Sequence, residues 1–160
     1  MADQDINVLI TGATGFVGKT VLKAFKNRQS VRLIAACRDR QRLPKEFSGE
    51  IREGDLRDSD YVRGLVQDVD VICHIGTWAA MWGHRQQEQR NFYQPTLTLI
   101  EAAIEAGVKR FIMTSTVAIA AKQNSPEGND DFSLTHHVKT RLEAFLDMLA
   151  HRRSRSRRDC

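Results

Sequence analysis

Three glycines at regular spacing constrain the fold of this chain more than any other feature. Gly12, Gly15 and Gly18 lie in the segment TGATGFVG, between a short apolar run at 6–10 and apolar residues at helical spacing from Val17 onward. Glycine lets the backbone turn tightly and approach another group with no Cβ in the way. A strand, a glycine-rich turn and a helix in this order are typical of an open α/β sheet.

Strand and helix patterns alternate along the rest of the chain. We predict further strands at 31–36, 50–53, 69–75 and 110–115. Helices are predicted at 59–66, with Ser59 as N-cap, and at 96–106, ended by Gly107. A last helix has one apolar stripe, formed by Val138, Leu142, Phe145, Leu146 and Leu149. Five strands alternating with helices predict an α/β fold, a Rossmann-type doubly wound parallel sheet in the order 3-2-1-4-5 with helices on both faces.

The length of 160 residues is that of one domain, which we place at 1–150. The last ten residues, HRRSRSRRDC, hold five arginines and one aspartate and so carry the whole formal net charge of +4. We expect 151–160 to be a basic, disordered tail. A domain that is neutral without its tail offers no electrostatic footprint for nucleic acid, which we do not expect as a partner.

The three cysteines, Cys37, Cys73 and Cys160, lie far apart and match no metal-ligand spacing, so we predict no metal site. Cys37 and Cys73 lie in apolar runs, which indicates buried thiols in a reducing compartment. The first predicted strand begins too early for a leader peptide, and no apolar run is long enough to span a membrane. We therefore expect a cytoplasmic protein without a membrane partner.

The glycine-rich turn predicts a site for an anion. A helix N-terminus offers free N–H groups and the positive end of its dipole, and the turn lets a pyrophosphate come close to the backbone. The alternative is a turn that is glycine-rich for structural reasons alone, but the strand before it and the helix after it favour binding. We expect a dinucleotide to contact Gly12, Thr14, Gly15, Phe16, Val17 and Gly18.

Three segments together, TGATGFVG, GDLRD at 54–58 and GVKRFIMTST at 107–116, resemble the short-chain dehydrogenase/reductase superfamily. More narrowly, they resemble its extended branch, the NAD-dependent epimerase/dehydratase family, from about residue 6 to about residue 149. The resemblance implies an NAD(P)-dependent oxidoreductase or epimerase that acts on a small carbonyl or sugar-nucleotide substrate. It also implies pairing of two copies through the fourth and fifth helices, as a homodimer.

The resemblance assigns roles to residues at the ends of the third and fourth strands. It implies that Asp55 hydrogen-bonds the adenine amino group, that Leu56 lies beside the ring, and that the backbone at Gly76 passes the ribose. For Asp55 the alternative is a turn residue that caps a helix. His74, which precedes the Gly76 turn, is interpreted as a packed core histidine rather than a catalyst.

The end of the second strand bears on the choice between NADP(H) and NAD(H). NAD-preferring members have an acidic residue there, which binds the ribose hydroxyls. This chain has Cys37 followed by Arg38, with Arg40 and Arg42 close behind. A guanidinium binds a 2′-phosphate well, so Arg38 favours NADP(H), while NAD(H) stays open. The alternative is that Arg38 is a solvated loop charge.

The catalytic pattern of the resembled family is only partly present. Thr116 falls on the position of its Ser/Thr, but the Tyr-x-x-x-Lys pair is replaced by His137 and Arg141. A histidine can exchange a proton near neutral pH, and an arginine can supply the lysine's charge. For His137 a surface helix residue is the alternative.

The family's carboxyl-terminal substrate domain has no counterpart in the chain, which we interpret as a truncated or frame-shifted product. Two hypotheses follow. The first is an enzyme that uses Thr116, His137 and Arg141, and the second is a catalytically silent NAD(P)-binding module or gene fragment.

Overall fold

A computed structural model of the chain describes residues 5–77 and 85–114. The strands are β1 (Ile6–Thr11), β2 (Val31–Cys37), β3 (Glu50–Glu53), β4 (Val71–His74) and β5 (Arg110–Met113). The helices are α1 (Phe16–Phe25), α2 (Ser59–Leu65), α3 (Arg85–Glu88) and α4 (Gln94–Glu105), with a π-helical segment at Gln89–Tyr93 and a 3₁₀ turn at Arg40–Arg42. In chain order α1 follows β1, the 3₁₀ turn follows β2 and α2 follows β3, while α3, the π-helical segment and α4 all lie between β4 and β5.

All described strands are parallel and form one sheet in the order β3-β2-β1-β4-β5, which confirms the predicted fold. The chain runs outward from β1 to β3, then crosses back to place β4 on the other side of β1. Beyond the carboxyl ends of β1 and β4 the connections leave in opposite directions, which opens a crevice between them. In the ladder, Thr11 at the end of β1 is opposite His74 at the end of β4.

The side chains of the central strands alternate between two buried clusters, one on each face of the sheet. Val8 and Ile10 belong to the cluster that includes Leu22 of α1. Leu9 and Ile72 belong to the other cluster, which contains these side chains of α2 and α4: Val62, Leu65, Leu99, Ile100, Ala102 and Ala103. By the same alternation, Thr11 follows Leu9 and His74 follows Ile72 onto the α4 face.

Two helix boundaries differ from the sequence expectation. The N-cap of α2 is Asp58, not Ser59, because Asp58 Oδ1 accepts hydrogen bonds from the backbone N–H groups of Asp60 (2.9 Å) and Tyr61 (3.2 Å). Helix α4 begins at Gln94 rather than at residue 96, and a π-helical segment precedes it. Pro95 has no N–H to donate, so a continuous α-helical ladder is interrupted at this point.

The predicted bounds of β4 are wrong, whereas the predicted end of α4 is confirmed. Strand β4 spans Val71–His74 rather than 69–75, and Asp68 just before it has a φ of 57°. Gly107 ends α4 as predicted, with a φ of 76°, while the N–H of Val108 reaches back to the carbonyl of Ala103 at 2.9 Å. This is the left-handed helix end at which glycine is preferred.

We expect Asp58→Ala to lower the free energy of unfolding by about 1 kcal/mol, since two N–H groups at the start of α2 lose their acceptor. Ser59→Ala, one residue on, should change it by less than about 0.5 kcal/mol. Urea denaturation of both variants measures the difference. A larger loss at Ser59 than at Asp58 would contradict the capping assignment.

Candidate functional site

A cleft of about 650 Å³ lies at the carboxyl ends of β1, β2, β3 and β4. The structure brings all ten predicted dinucleotide contacts together along its walls: Gly12, Thr14, Gly15, Phe16, Val17, Gly18, Arg38, Asp55, Leu56 and Gly76. These residues come from four separate connections, so their convergence depends on the strand order and on no single local motif. A crevice at this point of a doubly wound sheet is the usual ligand site of the architecture.

The glycine-rich turn is packed too tightly for side chains. Gly12 has a φ of +68°, and a Cβ built on it would lie 2.6 Å from the Cα of Gly76. A Cβ on Gly18 would lie 2.1 Å from the carbonyl oxygen of Gly12. The turn is closed by a 3.0 Å hydrogen bond from the N–H of Gly15 to the carbonyl of Gly12. Glycine is therefore required at residues 12 and 18 by the backbone itself.

Helix α1 begins at the floor of this cleft with Gly15 as N-cap, which has no side chain to accept from the first turn. The N–H groups of that turn and the positive end of the helix dipole therefore face the cleft. Phe16, the first residue of the helix, is 90% exposed. The arrangement suits an anion that approaches the backbone directly, such as a pyrophosphate.

His74 is buried, with 2% of its surface exposed, and both ring nitrogens have a partner. Nδ1 lies 2.8 Å from Thr11 Oγ1, and Nε2 lies 3.1 Å from Thr96 Oγ1. Burial lowers the pKa of His74 from 6.5 to about 4, so the imidazole is neutral at pH 7. The interpretation of His74 as a core histidine agrees with this packing.

Asp55 lies on the wall of the cleft and is held by Arg57. The guanidinium makes a bidentate contact, Nε to Oδ1 at 3.1 Å and Nη2 to Oδ2 at 2.6 Å. This hydrogen-bonded partner lowers the pKa of Asp55, so the carboxylate stays charged and accepts further hydrogen bonds. The alternative considered for Asp55, a turn residue that caps a helix, holds in part: Asp58 is the N-cap of α2, but Asp55 Oδ1 does accept from the backbone N–H of Arg57 at 3.0 Å within the turn.

Three arginines follow β2, and the structure separates them. The side chains of Arg38 and Arg42 line the cleft. Arg40 turns away and pairs with Glu53, with 3.1 Å between its Nε and Oε2 of that carboxylate. The 3₁₀ turn at Arg40–Arg42, capped by Asp39 Oδ1 on the N–H of Gln41, brings Arg42 back to the site. Within the described ranges neither Arg38 nor Arg42 forms an ion pair.

Several other residues on the cleft wall were not predicted as site residues. Tyr61 of α2 donates from its hydroxyl to the carbonyl of Arg52 at 2.6 Å, and burial raises its pKa to about 12. Its ring covers Gly54, where a Cβ would come within 2.3 Å of a ring atom. Burial also raises the pKa of the Cys37 thiol on this wall. Cys73, expected to be buried like Cys37, is only half-buried and does not line the cleft. The sequence feature that could have indicated Tyr61 is Gly54, seven residues earlier, because only a glycine leaves room for the ring at that position.

The catalytic candidates Thr116, His137 and Arg141 lie outside the described residues, as do the apolar stripe of the last predicted helix and the basic tail at 151–160. In the ranges 5–77 and 85–114 no His, Cys, Asp or Glu cluster is placed to hold a metal ion. Across the same ranges, no helix combines the length and the apolar character that crossing a membrane requires.

Comparison with known proteins agrees with the geometry of the cleft. Residues 8–142 match the sequence model of the NAD dependent epimerase/dehydratase family. A 3 beta-hydroxysteroid dehydrogenase/Delta 5-->4-isomerase of Mycobacterium tuberculosis is 30% identical over 131 residues, which cover 78% of this chain and 35% of that protein. The chain thus spans about a third of the length of the curated relatives it matches.

Solved structures share the fold. UDP-glucose 4-epimerase from Thermotoga maritima superimposes with a TM-score of 0.75 at 18% identity, covering 91% of this chain and 52% of the other. A short-chain dehydrogenase/reductase superfamily protein from Agrobacterium tumefaciens, solved with bound NAD, has a TM-score of 0.63 at 24% identity. The latter comparison covers 88% of this chain and 44% of that one.

The pKa of His74 predicts how stability depends on pH. Between pH 6.5 and 4, His74 is protonated in the unfolded chain but stays neutral in the folded chain. The free energy of unfolding therefore falls as the pH falls. The loss from this group reaches about 3 kcal/mol at pH 4 and is absent above pH 7.

Urea denaturation of the wild-type chain and of His74→Gln, across pH 4 to 8, measures this contribution as the difference between the two profiles. The variant should start less stable and have the shallower acid slope. Parallel profiles would show that His74 titrates normally in the folded chain.

Proposed function

The chain belongs to the NAD dependent epimerase/dehydratase family, and we propose that its cleft binds NADP(H) through the ten residues predicted from the sequence. One observation carries the proposal. The uncapped N-terminus of α1 opens into the cleft beside Gly12 and Gly76, whose backbones leave no room for a Cβ between them. Backbone N–H groups exposed in this way can bind a pyrophosphate directly, because no side chain stands between them and the anion.

The proposed dinucleotide runs across the carboxyl ends of the strands. Its pyrophosphate contacts the turn from Gly12 to Gly18, including Thr14, with Phe16 and Val17 at the mouth. Its adenine lies against Leu56 and donates from its amino group to Asp55. The charged state of Asp55 supports this role, because an ionised carboxylate is an acceptor only.

The preference for NADP(H) over NAD(H) is supported by Arg38 and Arg42. Both residues line the cleft, and neither forms an ion pair with a carboxylate in the described part of the chain. A 2′-phosphate placed between them gains two charge-assisted contacts, whereas an unmodified ribose gains none. Arg42 extends the prediction, which had named Arg38 alone.

When bound, the nicotinamide supplies reversible hydride transfer, and the chain's own residues bind and orient the dinucleotide. We propose a small carbonyl or a sugar nucleotide as substrate, with Thr116, His137 and Arg141 at the catalytic positions by sequence. Pairing of two copies through α4 and the following predicted helix is part of the same proposal. So is a cytoplasmic location, supported by the free thiols of Cys37 and Cys73.

Gly15→Asp should abolish NADPH binding, measured as loss of the fluorescence change on titration. The new carboxylate would stand at the start of α1, where it occupies the path of the pyrophosphate and takes the free N–H groups itself. Gly64→Asp is the matched control, since a Cβ at this exposed position in α2 meets nothing within 4 Å. A folded Gly15→Asp chain with unchanged NADPH affinity would disprove the phosphate assignment.

Arg38→Ala should weaken NADPH binding by about 1–3 kcal/mol and leave NADH binding nearly unchanged, since only NADPH carries the 2′-phosphate. Arg40→Ala removes the same side chain two residues later, but one that is paired with Glu53, and should leave both affinities as they are. Isothermal titration of the two variants with both dinucleotides measures this. Equal losses for NADPH and NADH at Arg38 would show that it does not select the cofactor.

A further inference from the structure

Arg57 donates three N–H groups to a single carboxylate, that of Asp55. Its backbone N–H reaches Oδ1 at 3.0 Å, its Nε lies 3.1 Å from each of the two oxygens, and its Nη2 reaches Oδ2 at 2.6 Å. Within the ranges 5–77 and 85–114, no other residue donates a hydrogen bond to this side chain. The carboxylate is therefore held at both oxygens by the residue two positions later in the same turn.

The hydrogen-bond capacity of Asp55 limits what else the carboxylate can accept. An ionised carboxylate offers about four lone-pair positions, and the three N–H groups of Arg57 leave about one of them open. Asp55 lines the cleft, so the open position is available to a donor bound there. An amino group supplies such a donor, whereas a carbonyl oxygen is itself an acceptor and is repelled by the carboxylate.

The planar guanidinium of Arg57 restrains the carboxylate in a way that charge alone does not. Asp55 is only half-buried, so without this contact its side chain could rotate towards water. A carboxylate that is free to rotate must be ordered when a donor binds, at the expense of affinity, and it can turn away from a repelling oxygen. The fork of an arginine fixes both oxygens at once, which the single ammonium of a lysine does not do.

We propose that Arg57 is a positioning residue that makes the site selective for adenine over a base with a carbonyl oxygen in place of the amino group. The inference rests on the proposed dinucleotide site and deepens it. Asp55 contacts the base, and Arg57 acts through Asp55 by fixing the direction of its one open acceptor position. The selectivity arises because the fixed carboxylate attracts the amino group of adenine and cannot turn away from a carbonyl oxygen.

Isothermal titration with NADPH and with its hypoxanthine analogue, deamino-NADPH, tests the proposal. The two ligands carry the same phosphates, so the ratio of their affinities cancels any general effect of a lost positive charge. The wild-type chain should prefer NADPH by about tenfold. Arg57→Gln should reduce this preference to about threefold or less, because the carboxylate is no longer fixed.

Arg63→Gln is the matched control. It makes the same change in an arginine of α2 that pairs with Asp60, and neither residue of this pair lines the cleft. The preference for NADPH should stay at the wild-type value in this variant. Arg57→Lys keeps the charge but lacks the fork, so its preference should resemble that of Arg57→Gln. Arg57 is exposed, and the urea midpoint of each variant checks that the chain is folded.

An unchanged or larger preference in Arg57→Gln overturns the positioning role, including the case in which both ligands lose affinity equally. A wild-type preference in Arg57→Lys also overturns it, because charge alone would then suffice. Both results leave the proposed function intact. A wild-type chain that binds the two ligands equally well overturns the contact of Asp55 with adenine and this inference, but not the phosphate assignment. A wild-type chain that binds neither ligand overturns the proposed function as a whole.

Discussion

The approach of the Gly12 backbone to that of Gly76 is the contact on which the rest of the site depends. Parallel strands β1 and β4 are neighbours in the sheet, and their ends must separate to let α1 and the later helices leave on opposite faces. Because neither glycine has a Cβ, the two connections touch before they part. The crevice therefore starts at a point closed by backbone alone, and α1 begins inside it with its N–H groups uncovered.

The sequence predicted the sheet well because its signals there are local and strong. The mainly apolar stretches of β1 and β2 and the glycine after α4 are each local signals, and the strand order follows from the alternation of strands with helices. The errors lie at boundaries where two residues compete. Ser59 and Asp58 are both good caps, and only the direction of the backbone at Asp58 decides between them. The π-helical segment before α4 follows from Pro95, whose effect on the preceding turn a periodicity analysis does not include.

For the candidate site, the sequence and the family resemblance named ten residues that line the cleft, but not the further residues whose place depends on how the elements pack. Arg40 and Arg42 are equivalent in the sequence, yet a capped 3₁₀ turn directs one to Glu53 and the other to the cleft. Tyr61 and Gly54 meet only after β3 and α2 have packed. Thr11, His74 and Thr96 are far apart in the chain, and their contact depends on the register between β1 and β4. Such pairings require three-dimensional information that a single sequence does not contain.

Arg38 and Arg42 are exposed and belong to neither core cluster, whereas the glycines across the cleft are fixed by contact between backbones. Exchanging an exposed side chain usually changes stability by less than about 0.5 kcal/mol, but a side chain at Gly12 has no space at all. The two halves of the cleft therefore differ in evolvability. On the proposed assignment of the site, changes in the loop after β2 can shift the preference between dinucleotides, while Gly12 cannot be exchanged without displacing the backbone. Laboratory evolution of cofactor preference would target the same two positions, Arg38 and Arg42.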